Sequence, residues 1–457
     1  MELEERNPDI LSNKDDCIQY KLSYIHGKED YYDWIKSFET EMNSLHFSQL
    51  ETTSRFMFDV VGYGIFVFIK NGKIHTFQPF ANIFETKPST SKITGKDIED
   101  LYQHKIADLN VHKEKFYHRI VKERREWVIS GCNFFYWDVW WKDLELYIHI
   151  YYDMLKNLIG NITTCFFINL FDLPVLNKKE CEQFGVTDPE RFIPVLSACT
   201  SPEHYDTLNI YPDAWEVVSQ KKFGTQCRDL YFNKKSGINT AWETKENKIV
   251  FRGRNTSCYP NDFERNIRLK VSKIAEDIKK ADKIKIDIGL NGITTSTLYH
   301  DNMLDYSKPR QIFNPTGIPQ KSGIPILEQS NSKYILDMDG FVTPWRLCYE
   351  LSYNSCIILV RSHYTSWFYN ELRHGDNIYM IDQKGDVKKE LKSALLHFSK
   401  HDEEGQRIAA NSLELYNKIM NVEYMRDYMR RILEPFSVGK RRTRRISKRK
   451  RRTKNRR

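Results

Sequence analysis

Apolar and polar positions alternate most cleanly in "GIFVFIKNGKIHTFQPF" (Gly64–Phe80), where Asn71-Gly72 separates two β-rich runs. That dipeptide accepts the positive φ of a two-residue turn, so the stretch predicts a β-hairpin. "KPSTSKITGKD" (Lys87–Asp97) reads as a linker, and Ile98–Arg125 carries a polar helical pattern. Asn133–Ile159 is unusually aromatic. It predicts a buried helix packed on a sheet, with a sugar-stacking platform as the weaker alternative.

Beyond it, short apolar runs alternate with helical periodicity. Strands are predicted in Thr163–Leu176, Arg191–Ser201, Lys248–Gly253, Lys283–Leu290, Lys333–Asp339 and Ser355–Val360. Helices are predicted around Arg265–Lys279, Pro344–Asn354 and Lys388–Leu433. Strands and helices in alternation imply parallel sheets and an α/β class. At 457 residues, with 40% apolar and 13% aromatic content, the chain can build two or three packed domains.

Charge changes the picture once it is located. Residues 440–457 hold thirteen Lys and Arg and no acid, and removing them from the net +9 leaves the rest at about −4. The basic signal therefore belongs to a tail, either a solvated arm or a contact for nucleic acid, an anionic membrane or an acidic protein. Nine scattered cysteines without a C-x-x-C pair argue against a disulfide framework or a zinc module. The charged start and the lack of a long apolar run predict a cytoplasmic protein, not a secreted one, without a transmembrane segment.

Ligands of open α/β sheets bind beyond the carboxyl ends of the strands. Asp172 follows one such strand and precedes Pro174, a pattern that fits a turn or cap as readily as a site. Arg252, Gly253, Arg254, Asn255 and Thr256 follow another. There arginines can meet phosphate oxygens, and successive N–H groups can form an anion nest. In "SKYILDMDGFVTPWRLCYELSYN", Asp337 and Asp339 share a face only if the strand continues through both, as a metal-binding D-x-D requires. Arg346 and Glu350 share a helix face. The pair suits a diphosphate and ribose hydroxyls, or is a plain ion pair.

These segments, taken in order, resemble glycosyltransferase family 90, the capsule-associated-protein and Rumi type that includes protein O-glucosyltransferases and xylosyltransferases. The resemblance runs from about Cys165 to Leu433 through "FFINLFDLP", "PVLSACTSPEHYDTLNIYPDAW", "AWETKENKIVFRGRNTS", "ERNIRLKVS" and "SKYILDMDGFVTPWRLCYELSYNSCIILV". "NGKIHTFQPFAN" is similar to an N-terminal element of members from large DNA viruses. The sequence departs from the family pattern at Arg254 and Asn255, where R-G-S-R-T-S is common, and at "RHGDNIY" (Arg373–Tyr379), which leaves no clear equivalent of the histidine in the family's P-W-x-H-Y.

The resemblance implies a GT-B fold: two Rossmann-like domains facing a cleft, preceded by an N-terminal extension with the hairpin. The expected boundaries are 1–90 for the extension, 91–240 for the acceptor-side domain, 241–435 for the nucleotide-sugar domain and 436–457 for the basic tail. It implies inverting transfer of a sugar, glucose or xylose, from a UDP-sugar to a hydroxyl of a protein or glycan. No obligatory metal or other cofactor is expected. Asp172 matches the catalytic base, while Arg252, Gly253 and Thr256 match the donor loop and Arg346 the diphosphate arginine. Asp339 and Gly340 fall in a donor-side turn, and Asp206 and Trp215 on the acceptor side. Two competing readings are a metal-dependent transferase using Asp337 and Asp339, and a non-catalytic protein acting through its basic tail.

Overall fold

The computed structural model describes residues 28–61, 63–81, 150–219, 240–257, 263–278, 284–292, 318 and 320–437. The linker, the polar helical pattern, most of the aromatic stretch and the basic tail lie outside the described residues. Two five-stranded sheets organise the chain.

The first sheet has the order β2-β1-β3-β4-β6, from β1 (Tyr63–Lys70), β2 (Lys73–Ala81), β3 (Thr164–Ile168), β4 (Val195–Ser197) and β6 (Thr207–Leu208). β1 and β2 form the hairpin, turning through Asn71 at φ 52° and Gly72 at φ 75°. Both values lie in the left-handed region that asparagine and glycine tolerate best. The hairpin is no separate extension, because β1 pairs antiparallel with β3 from Ile65↔Ile168 to Ile69↔Thr164. β3, β4 and β6 run parallel.

The second sheet is wholly parallel. It comprises β7 (Glu246–Arg254), β8 (Lys285–Gly292), β9 (Ser332–Met338), β10 (Cys356–Arg361) and β12 (Tyr379–Asp382), in the order β12-β10-β9-β7-β8. Numbered within the sheet this is 2-1-3-4-5, a doubly wound order whose switch point falls between β7 and β9. Its strands read as continuous apolar runs because both faces are covered. Ile249, Phe251, Tyr334 and Leu336 face one core with the helices Ile267–Asp277 and Val387–Phe398. Val250, Ile335 and Tyr353 pack on the other face.

The amino-terminal edge of this sheet is tied by groups from the tryptophan–lysine motif. Trp242 Nε1 donates to Asp402 at 2.9 Å, and Lys333 Nζ reaches both oxygens of the same carboxylate. Buried Lys245 donates to the carbonyls of Ser330 and Tyr353 and to Ser355 Oγ. These residues are scaffold, at the strand ends opposite the site.

The carboxyl ends of the two sheets meet. β5 (Cys199–Thr200), just past β4, pairs antiparallel with β11 (Thr365–Ser366), just past β10. Tyr211 and Thr343 add a hydroxyl–hydroxyl bond of 2.6 Å across the same junction. One hydrophobic core contains Phe166, Ile168 and Leu196 of the first sheet together with Ile357 and Leu359 of the second. It also takes Leu415 and Ile419 from the helix Asp402–Ile419, and Met425 and Met429 from Val422–Leu433.

Candidate active site

Asp172 sits in the turn that leaves β3. Buried Asn169 builds this turn: its amide donates to the Leu173 carbonyl at 2.7 Å and to Ser197 Oγ at 2.9 Å, while its oxygen accepts the Phe171 N–H. The Cys199 thiol donates to the Asp172 carbonyl at 3.1 Å, so the turn is one bond from the β5–β11 bridge. The Asp172 side chain reaches solvent, and its carboxylate has no hydrogen-bond partner among the described residues. Protein crowded around it restricts hydration and pushes the carboxyl up to about 6. An accessible, unpaired carboxylate with that pKa can take up a proton near neutral pH.

Asp206 and Trp215, expected on the acceptor side, are buried. Asp206 accepts the backbone N–H groups of Val175 and Leu176 at 2.9 and 2.7 Å and the Ser197 hydroxyl at 2.5 Å. It therefore folds the segment after Asp172, although burial holds its own carboxyl up at about 6. Trp215 is 3% exposed and donates through Nε1 to Asp153 Oδ2 at 2.8 Å. Asp206 holds the segment after β3 and Trp215 ties its own helix to the one carrying Asp153, and neither presents a face for a ligand.

Across the junction lies the switch point, where the ends of β7 and β9 diverge. Arg252 is 6% exposed and points along the face that carries Val250. Its Nε donates to the Ser322 carbonyl, and its terminal nitrogens reach the Phe251 carbonyl, the Asp287 carbonyl and Asp287 Oδ1, the last at 2.7 Å. Lys321 shares that carboxylate at 2.9 Å. Burial opposes ionisation of Asp287, but hydrogen bonds from Lys321 and Arg252 outweigh it and hold the carboxyl below its usual range.

Arg346 is also turned inward. Its Nε and one terminal nitrogen donate to Asp337 Oδ1 at 3.1 and 2.9 Å, and the other terminal nitrogen donates to the Arg252 carbonyl at 2.8 Å. The expected i,i+4 partner is present, with Glu350 Oε1 3.1 Å from Arg346 Nε. Glu350 is wholly buried, however, and so closed to a ribose. Burial and the neighbouring Asp337 push its carboxyl well above the usual range, and a protonated Glu350 can supply Asp337 with a donor. The D-x-D aspartates part company: Asp337 holds Arg346, while Asp339 accepts the Ser362 hydroxyl. Among the described residues no group of three or more His, Cys, Asp or Glu could hold a metal ion.

The rest of the expected donor loop divides in the same way. Asn255 is buried, and its carbonyl accepts from Asn266, which caps the following helix. Arg254 is exposed, and Thr256 Oγ1 accepts from a residue the sequence reading passed over, Arg268. Arg268 joins the two strand ends: it reaches the Arg254 carbonyl and Thr256 Oγ1 beyond β7, and the Met338 and Asp339 carbonyls at the end of β9. Gly253 and Gly340 make room for it. A Cβ on Gly340 would lie 2.7 Å from Thr256 Oγ1 and 3.1 Å from an Arg268 nitrogen. One signal in the sequence pointed to it, a cation in the first turn of a helix, where the helix dipole disfavours positive charge.

The profile of "Glycosyl transferase family 90" matches residues 143–454. The chain belongs to this family. It is 25% identical to uncharacterized protein 179R of Invertebrate iridescent virus 6, over 85% of this chain and 37% of that protein. It is 27% identical to protein O-glucosyltransferase 2 of Danio rerio, over 53% of this chain and 41% of that one. The chain thus spans less than half the length of these relatives. Among solved structures, TarM aligns with a TM-score of 0.31 at 10% identity, covering 52% of this chain and 49% of that one. Anabaena Alr3699/HepE in complex with UDP-glucose aligns with a TM-score of 0.29 at 10% identity, covering 62% and 67%. Scores this low place no residue of this family 90 chain.

Proposed function

We propose that this family 90 chain transfers a sugar, glucose or xylose, from a UDP-sugar to a hydroxyl of a protein or glycan, with inversion at the anomeric carbon and a GT-B arrangement of its two sheets. Asp172 is the base. It takes the acceptor hydroxyl's proton as the new C–O bond forms, and the bond between the anomeric carbon and the UDP oxygen breaks on the opposite face. UDP leaves with the bonding electron pair, and its growing negative charge falls at the switch point, among the backbone N–H groups beyond β7 and β9. One carboxylate suffices because the nucleophile is already a hydroxyl.

The observation that carries this reading is the unpaired Asp172 carboxylate, on a turn whose backbone carbonyl is one hydrogen bond from the bridge that joins the two sets of strand ends. The engagement of Asp337 with Arg346 supports a reaction that does not route a metal through the D-x-D. The name of the Danio rerio relative supports glucose.

The test is turnover of UDP-glucose, UDP-xylose, UDP-galactose and UDP-N-acetylglucosamine, with and without EDTA, beside Asp172→Asn. One donor should turn over in EDTA and fail in the variant. Loss in EDTA restored by manganese would return Asp337 and Asp339 to a metal. Absence of both turnover and binding would sink the transferase reading.

A further inference from the structure

Three arginines crowd the switch point, and their partners differ in kind. Arg252 shares the Asp287 carboxylate with Lys321, and Arg346 lies between Asp337 and Glu350. Every hydrogen-bond acceptor of Arg268 among the described residues is neutral: three backbone carbonyls and the Thr256 hydroxyl. Among the described residues no carboxylate is hydrogen-bonded or ion-paired to it, although Asp337, Asp339 and Glu350 lie near enough to act on its charge.

Its position is unfavourable for a cation in two further ways. Arg268 lies in the first turn of the helix Ile267–Asp277, where the axial dipole is positive. It also shares the Phe251 ring with Arg346, the two guanidinium carbons lying 5.8 and 5.1 Å from the ring centroid. Two like charges over one ring repel each other, and a doubly charged oxyanion group beside them would relieve that repulsion. The carbonyls that hold Arg268 fix its fork at the divergence of β7 and β9, the place where parallel sheets of this order take ligands.

We propose that Arg268, and neither Arg252 nor Arg346, is the guanidinium that this site presents to the diphosphate of the nucleotide-sugar. Arg252 and Arg346 shape the loops from within; Arg268 supplies the charge. The inference rests on the UDP-sugar reading above. It assigns the electrostatic stabilisation of the leaving group to a residue outside both the arginine–glycine loop and the D-x-D segment.

The experiment is calorimetric titration of the whole protein and of its Arg268→Gln and Arg268→Lys variants with UDP and, separately, with uridine, thermal unfolding confirming that each is folded. UDP should bind Arg268→Gln about 10- to 100-fold more weakly, with uridine unchanged, as expected for loss of charge-assisted hydrogen bonds. Arg268→Lys should fall between, because a point charge replaces a fork. UDP affinity within about twofold of wild type in both variants would overturn the assignment, as would a parallel loss of uridine. If Arg268→Gln does not fold, the lysine variant decides by the same ratio of UDP to uridine. Wild-type protein that binds no UDP would sink the donor reading itself, and this inference with it.

Discussion

The pH dependence of turnover is the sharpest consequence of the Asp172 environment. A general base acts in its ionised form, so kcat/KM must rise with pH through the carboxyl's pKa and then level off. With that pKa at about 6, about 90% of the enzyme is competent at pH 7 and about 10% at pH 5. An aspartate at its ordinary value would still be more than about 90% ionised at pH 5, and the profile would be nearly flat. The structure therefore predicts a roughly tenfold fall between pH 7 and pH 5, read as initial rates of UDP release at subsaturating donor and acceptor.

Asp206 and Asp339 also titrate in this range, so the variant decides the assignment. Asp172→Asn should lose about 10²- to 10⁴-fold in kcat, and its residual rate should no longer fall between pH 7 and pH 5. A wild-type profile flat from pH 5 to 8 would refute the reasoning. So would a variant that keeps the same acidic limb, because the limb would then belong to another group.

Other consequences concern the loops and the scaffold. Gly340→Ala should drive a methyl group into Thr256 and Arg268, raising the KM for donor and lowering stability by about 1–3 kcal/mol; an unchanged donor KM would show that the two strand ends move freely. Burial, with Asp337 nearby, raises the Asp339 carboxyl to about 7, above its unfolded value, despite the opposing bond from Ser362. The folded protein thus binds the extra proton, and Asp339 lowers stability progressively as pH climbs from about 4 to about 7. Asp339→Asn should flatten that slope and melt higher than wild type at pH 8, and an identical melting profile for the two proteins would refute the assignment. Lys245→Met, at the far edge of the same sheet, should cost about 2–4 kcal/mol by leaving its buried carbonyls unpaired, while donor KM stays unchanged. A shifted KM would mean that the two ends of the sheet are coupled.

Features fixed by neighbouring residues were legible in the sequence. Asn71-Gly72 specified its turn because the requirement for positive φ is local. The apolar runs that form β7, β9 and β10 read correctly because strands covered on both faces need little alternation. Side-chain direction was another matter. Arg252 follows Phe251, which faces the larger core, so strand period alone turns its guanidinium to the opposite face and towards Asp287. Reading it as a strand-end group ignored that period.

The Arg346–Glu350 spacing was visible, but its burial was not. That depends on the helix Leu347–Glu350 lying in the core shared with the first sheet, a contact no local window contains. Motif recognition had a different limit. The tryptophan and lysine of "AWETK" mark the family, yet Trp242 and Lys245 act by packing and hydrogen bonding away from the site. Arg268 stood in a matched segment without a role, because its part depends on two strand ends, Arg254 and Met338, that lie 84 residues apart in sequence and meet at one guanidinium.

The shared core bears on how the site can work. The proposed inverting displacement needs the base and the leaving group on opposite sides of one carbon, so under that reading the distance between Asp172 and the switch point must be held within a fraction of an ångström. In many two-lobed proteins a hinge sets such a distance. Here the first sheet, the helix after β9 and the two C-terminal helices bury their apolar faces in a single cluster, and the β5–β11 pair ties the strand ends directly. A packed interior responds to lost volume by partial collapse rather than smooth deformation. Truncating Met425 or Met429, which sit in the cluster that also takes residues from both sheets, should therefore change the spacing of base and donor site as well as stability. The position of Asp172 relative to the switch point is a property of the whole core, and the turn around Asn169 only finishes what that core begins.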